Sequence, residues 1–251
     1  CHYCGHAERM PPRCPACGQA TLGTHGLGTE QLAAVLAEAV PGLRILRVDA
    51  DTVGERQGHA RLFAAFAAGE ADCLVGTQMV AKGLDFPRVT LVGVVGADRA
   101  LSVPEFRAAE RTFQLCAQVA GRAGRGSRPG TVVVQAWDVQ AVPITAALDL
   151  QPRRFYDSEM DLRRAYGYPP FTGLVHVLWS GPDAAKVQRA ADEDAQRMRE
   201  ALDGCILLGP NVAALSYLKG QHRWHALVKA PSRGHAQAFL DRLGPLKGGS
   251  G

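Results

Sequence analysis

The chain has 251 residues, 47% of them hydrophobic, which suffices for about two packed domains and argues against disorder. No stretch approaches the roughly 18 uninterrupted apolar residues of a membrane helix, and no charged-then-apolar signal pattern opens the chain, so the expected setting is cytoplasmic with no membrane partner. The formal charge is +4, but residues 1–150 balance 14 basic against 14 acidic side chains, so the whole excess falls in residues 151–251 and fits a polyanion partner without requiring one.

The start at Cys1 without a Met, and the end in Lys247-Gly-Gly-Ser-Gly251, predict a piece of a longer protein. Residues 1–22 are rich in Cys, Gly and Pro and show little periodicity, so something other than an apolar core must hold them. Cys1-x-x-Cys4 and Cys14-x-x-Cys17 are two matched knuckles, and two intervening residues let both thiolates of a pair reach one tetrahedral Zn2+ ion. Gly5 and Gly18 follow the second cysteine of each, where a tight turn asks for positive φ. Redox-active or disulfide-bonded pairs are the alternative. An odd total of seven cysteines speaks against a secreted disulfide framework. Cys73, Cys116 and Cys205 sit among apolar neighbours and read as small core residues.

Residues 23–150 alternate helix and strand. Glu30–Val40 has helical spacing and stops at Pro41-Gly42. Leu43–Val48 reads as a strand. Arg61–Ala68 reads as a helix with Leu62, Phe63 and Phe66 on one side. Ala71–Val75 and Val89–Val95 are strands, Glu105–Ala123 a long helix, and Gly130–Ala136 another strand. This order predicts an α/β domain with a parallel sheet and crossover helices. After the strand at 71–75, Thr77 stands where a hydroxyl can cap a helix or bind a phosphate. Gly83 can end that short helix, and Asp85 is then aimed off the carboxyl edge of the sheet, where open α/β sheets bind ligands. Gln118, Arg122 and Arg125 are spaced by four and three and share a helix face. Two arginines there suit charge developing on a transferring phosphoryl group; complementing a helix C-terminus is the plainer option.

Residues 151–251 change character. The stretch 151–170 mixes arginines and acids and ends in Tyr168-Pro-Pro170, which reads as a linker. A strand (Leu174–Ser180), a polar helix (Asp183–Leu202), two strands (Ile206–Leu208 and Arg223–Lys229) and a helix (Gly234–Leu243) follow. The order βαββα lacks only a last strand to complete the split βαβ plan of ferredoxin-like α+β domains. Lys219, Arg223, Trp224 and Lys229, with His222, form a basic stretch around an aromatic. It suits phosphate neutralisation with base stacking, unless Trp224 packs inward.

Taken together, Gly76-Thr-Gln78-Met with Lys82-Gly83-x-Asp85-Phe-Pro, and Gln118-Val-Ala-Gly-Arg122-Ala-Gly-Arg125, resemble motifs V and VI of superfamily 2 helicases. Gly26-Leu-Gly-Thr-Glu30, Asp49-Ala-Asp-Thr52, Phe106-Arg-Ala-Ala-Glu-Arg111 and Tyr168-Pro-Pro-Phe171 extend the similarity, over nearly the whole chain, to the primosomal replication-restart helicase family (PriA, primosomal protein N′). The resemblance implies a zinc-binding segment (1–22), a RecA-like second helicase lobe (23–150) and a DNA-binding C-terminal domain (151–251). It implies that Thr77 and Gln78 contact DNA, and that Gly83, Asp85, Gln118, Arg122 and Arg125 serve ATP and its Mg2+, the two arginines as the catalytic cations. Single-stranded and forked DNA, primosome assembly proteins and single-strand-binding protein would be the partners, in the cytoplasm at the nucleoid. The family holds two zinc ions with eight cysteines; four are present here. Two departures stand out: Gly96 replaces an acidic residue two before Asp98, and Leu84 a histidine. No phosphate loop or magnesium-binding Asp-Glu pair occurs in these 251 residues. ATP-dependent 3′–5′ unwinding therefore depends on a lobe outside this sequence, and a non-hydrolysing assembly protein is the alternative.

Overall fold

The computed structural model describes residues 11–20, 28–48, 56–77, 86–121 and 129–246. They fall into two compact units, one built from Met10–Ala97 and Phe113–Val139, the other mainly from Asp98–Thr112 and Gln140–Gly251. The segments 98–112 and 140–150, placed by the sequence boundary with the first domain, thus belong to the second unit.

In the first unit, α1 (Thr29–Ala39) leads to β1 (Ile45–Val48), α2 (Arg56–Ala68) and β2 (Cys73–Gly76). β1 and β2 pair in parallel from Ile45↔Cys73 to Val48↔Gly76. A two-pronged clamp sets that register where the strands begin. Arg44 donates from Nε to Asp72 Oδ2 at 2.8 Å and from Nη2 to Oδ1 at 2.6 Å, while the amides of Asp72 and Cys73 both donate to the Arg44 carbonyl. The guanidinium hydrogen bonds pull the Asp72 carboxyl down to about 2. On α2, Phe63 and Phe66 share the side that meets Phe86, the latter ring edge-on at 4.9 Å.

The second parallel pair is β3 (Leu91–Val94) with β4 (Thr131–Val134), in register from Leu91↔Thr131 to Val94↔Val134. Between them in sequence come a 3-10 segment (Ala97–Ser102) and α3 (Ala108–Ala120). Phe113, Cys116 and Val119 recur at helical spacing and are buried. Burial pushes the Cys116 thiol upward, as a core residue requires. Beyond β3 the chain turns at Gly96, whose φ of 63° suits a residue without Cβ. The Gly96 amide donates to Gln135 Oε1 at 2.8 Å and the Ala97 amide to the Gln135 carbonyl, which extends the ladder past the strand.

The second unit corrects the linker reading of 151–170. Residues Pro152–Ala165 form a helix (α5) after a shorter one, α4 (Val142–Leu148). Proline at its first position and buried Phe155 and Glu159 make α5 a packed element. Arg163 explains much of that packing. It donates to Glu159 at 2.7 Å, to Glu110 of α3 at 2.8 Å and to the Pro169 carbonyl at 3.3 Å, and lies over the Phe106 ring. Phe106 in turn stacks on Tyr168 at 5.1 Å.

Then come β5 (Gly173–Gly181), α6 (Ala184–Glu200), β6 (Ile206–Leu218), β7 (Gln221–Ala230) and α7 (Arg233–Leu243). The sheet order is β5-β7-β6, with β7 antiparallel to both neighbours. Both helices are capped, α6 by Asp183 on the amides of Ala185 and Lys186, α7 by Ser232 on that of His235. They bury Val187, Ala191, Met198, Phe239 and Leu243 against Val177, Trp179, Ala226 and Val228. Gly173 permits the approach of α7: a Cβ there would meet the Ser232 carbonyl at 2.6 Å. β6 runs ten residues past the strand read from sequence at Ile206–Leu208. The extension begins at Gly209-Pro210 and is broken twice in register, at Leu208/Asn211 and Val212/Tyr217, which hid it from a reading by alternation.

Candidate functional site

The sequence-marked residues gather in three places. The first is in the first unit, at the carboxyl end of β2 and in the last turn of α3. β2 ends at Gly76 and delivers Thr77, exposed, immediately beyond it. Gln118 is half-buried in the last turn of α3, and the Gly121 amide still donates to the Ala117 carbonyl at 3.0 Å as that helix ends. Gln78, Gly83, Asp85, Arg122 and Arg125 lie outside the described residues. The observed framework is therefore a parallel strand that ends just before Gln78 and a helix that ends just before Arg122; the carboxyl end of such a strand is the edge at which open α/β sheets bind ligands.

The second place is the segment 11–20. Cys14 and Cys17 form one knuckle. The Cys14 carbonyl accepts from the Gly18 amide at 2.8 Å, the Cys14 amide donates to the Gln19 carbonyl at 2.9 Å, and Gly18 takes φ 70° as its position anticipates. Amides of Cys17 and Ala16 donate to the Cys14 sulfur and hold its thiol below the ordinary range. A turn that stabilises thiolate in this way fits half of a zinc donor set. Cys1 and Cys4 lie outside the described residues, and among the described residues no group of three or more His, Cys, Asp or Glu is arranged for a metal.

The third place is the β6–β7 hairpin and its sheet. Alternation along β7 separates Trp224 from Arg223 and Lys229, and Lys219 lies in the turn before the strand. Trp224 faces the helices, opposite Trp179 on β5, and packs against the core; this settles the alternative in favour of inward packing. Lys229 is 8% exposed, donates to the Tyr166 carbonyl at 2.8 Å and sits 3.9 Å from the centre of the Tyr168 ring. An ammonium so covered and engaged is not presented to a phosphate. Arg223 and Lys219 differ. Among the described residues neither cationic group has a hydrogen-bond or ion-pair partner. Arg223 lies on the sheet face away from the helices, near His176, whose pKa falls through burial and then through the Arg223 charge, against a weaker upward pull from Glu105. His176 pairs with His225, ring nitrogens 3.3 Å apart. Lys219 occupies the two-residue turn between the strands with φ 50°, followed by Gly220 at φ 79°. From Cys205 to Leu240 the chain carries no Asp or Glu, yet Lys219, Arg223, Lys229 and Arg233 all fall in that run. The sequence reading overlooked Tyr217; its position in a hairpin arm would have been visible only had β6 been extended past Leu208.

These features define an α/β protein whose second unit carries a small α+β domain. Residues 26–127 match the helicase conserved C-terminal domain, and residues 164–247 match the primosomal protein N C-terminal domain. The chain belongs to the PriA family of replication restart proteins and corresponds to its C-terminal portion. It is 38% identical over 244 residues to the replication restart protein PriA of Bacillus subtilis, covering 97% of this chain and 30% of that protein. The corresponding protein of Synechocystis is 39% identical over 233 residues, 92% of this chain and 28% of the relative. That of Haemophilus influenzae is 37% identical over 242 residues, 96% and 33%. The chain thus spans about 30% of the length of the curated relatives it matches. No helix of the described residues is long and apolar enough to cross a membrane.

Proposed function

We propose that this chain is the second motor lobe and the DNA-contact end of a replication-restart protein that binds forked DNA. With a first lobe carrying the phosphate loop, it would couple ATP hydrolysis to 3′–5′ unwinding and to replisome reloading. The observation that supports the reading is that β2 hands over to Thr77 at its carboxyl end, with α3 ending just before Arg122. In this reading Gly83, Asp85 and Gln118 border the nucleotide, Arg122 and Arg125 neutralise charge on the transferring phosphoryl group, and Thr77 and Gln78 register DNA. The small domain, with strand order β5-β7-β6, is read as a split βαβ plan without its last strand, and as the part that meets single-stranded DNA. Cys14 and Cys17, with Cys1 and Cys4, are assigned to Zn2+; the amide-supported knuckle at Cys14 supports that assignment. Primosome assembly proteins and single-strand-binding protein are the proposed protein partners.

Arg125→Ala in the full-length protein tests the motor assignment. DNA-stimulated ATP hydrolysis should fall by about a thousandfold or more while fork binding persists. Unchanged turnover would remove the arginine from the reaction. A full-length parent that binds forks but hydrolyses no ATP would instead identify an assembly protein with an inert motor. Metal analysis of the purified full-length protein, before and after Cys14→Ser, tests the zinc assignment.

A further inference from the structure

The β6–β7 hairpin extends past the three-stranded sheet as an arm. β5 gives out at Gly181, opposite His222, which on its other side faces Tyr217, so Tyr217 stands in the last three-strand row and Leu218–Gln221 lie beyond it. Between Val212↔Trp224 and Tyr217↔His222, β6 spends four residues where β7 spends one, so Ala213–Ser216 bulge from the ladder. The second half of β6 exposes Val212 (49%), Leu215 (61%), Tyr217 (59%) and Leu218 (43%) within seven residues. Apolar side chains so concentrated on a rigid, two-residue-turn hairpin are costly to leave in water and mark a contact surface. Tyr217 and His222 face each other across the strands with ring centres 4.9 Å apart.

Charge says what the surface meets. The arm lies within the acid-free run Cys205–Leu240, its tip is Lys219 in a left-handed conformation, and Arg223 follows on β7. Neither cation has an ion-pair partner among the described residues. A protein-docking arm would gain from cations matched to neighbouring acids; a single-sign arm with an exposed ring pair suits a strand of phosphates and unpaired bases.

We infer that Tyr217, backed by His222, is a stacking platform for a base of single-stranded nucleic acid, with Lys219 at the turn neutralising an adjoining phosphate. The inference rests on the DNA reading above but assigns the contact to the hairpin arm instead of to Trp224 and Lys229. Stacking is indifferent to base identity, since every base offers a π-face, so the arm follows single strands without reading sequence.

The test is fluorescence anisotropy of a labelled oligothymidylate, and of its abasic counterpart, with the 251-residue chain and the full-length protein across a KCl series. Tyr217→Ala should weaken oligothymidylate binding by about 5- to 100-fold and leave abasic binding unchanged, whereas Tyr217→Phe should bind as the parent does. Lys219→Ala should weaken both strands and flatten the slope of log K against log salt by about 0.7. Tyr217 is largely exposed, so melting temperatures should stay level. A parent that binds while Tyr217→Ala binds equally well overturns the inference alone; a parent that fails to bind either strand overturns the DNA reading with it. Tyr217→Ala that binds DNA normally but no longer retains a protein partner makes the arm a protein-docking element, which also overturns it.

Discussion

Lys229 on β7 holds its ammonium 3.9 Å from the ring centre of buried Tyr168 and donates to the carbonyl of Tyr166 at 2.8 Å. The Tyr-Pro-Pro segment is thereby fastened to the sheet by a cation that desolvation pushes below its ordinary pKa.

Replacing that cation should cost stability and spare DNA binding. Lys229→Ala loses a partly desolvated cation–π contact and a charge-assisted hydrogen bond, about 2 kcal/mol together. Urea denaturation measures the loss, and oligothymidylate affinity should stay within about twofold of the parent. A variant as stable as the parent that nonetheless binds DNA poorly would return Lys229 to the interface.

Trp224 is expected to behave as a core residue. Trp224→Ala should destabilise by about 2 kcal/mol, less than the 3–5 typical of a fully buried tryptophan because this one is half-exposed. Trp224→Phe should recover most of that. The decisive comparison is again between denaturant midpoint and DNA affinity: a large affinity loss in the phenylalanine variant would place the indole against bases.

Asp194 on α6 is 2% exposed and accepts from Trp179 Nε1 at 2.9 Å and from Arg197 at 3.1 Å. Arg197 also donates to the carbonyls of Leu243 and Pro245, which ties the end of α7 to α6. Asp194→Ala strands the indole N–H and removes the anchor of Arg197, a loss of about 1–3 kcal/mol. Amide hydrogen exchange should show the last turn of α7 opening first; uniform protection across α7 would contradict the link.

The pair His176–His225 predicts a pH dependence of known sign. Burial lowers both pKa values from the ordinary 6.5, aided at His176 by Arg223 and at His225 by His176 itself; Glu105 pulls His176 the other way. The unfolded chain therefore binds protons first as pH falls. The two rings contribute no penalty well above about 6.5, and stability drops from there down through the lower folded pKa values. Between pH 7.5 and 5 the melting temperature should fall less for His225→Gln than for the parent. Identical curves would show that the pair does not titrate as argued.

Much of this protein could be read locally. The clamp partners Arg44 and Asp72 flank strands whose continuous apolar runs already announce burial, and Phe113, Cys116 and Val119 announce a helix by spacing alone. Capping by Asp183 and Ser232, and the turn at Gly18, follow from single side chains acting on neighbouring amides. Each is a short-range effect, settled within a few residues of chain.

Contacts distant in sequence decided the rest. The stretch 151–170 resembles a linker in composition, yet Arg163 becomes a packed cross-brace because Glu110, more than fifty residues earlier, meets it. Lys229 and Arg223 look alike along the strand, but strand order and the Tyr168 ring cover one and leave the other open. Trp224 and Tyr217 differ in the same way: one falls under the helices, and the other lies exposed in the last row that β5 reaches. Burial is a property of what lies across the sheet, and composition carries no record of that.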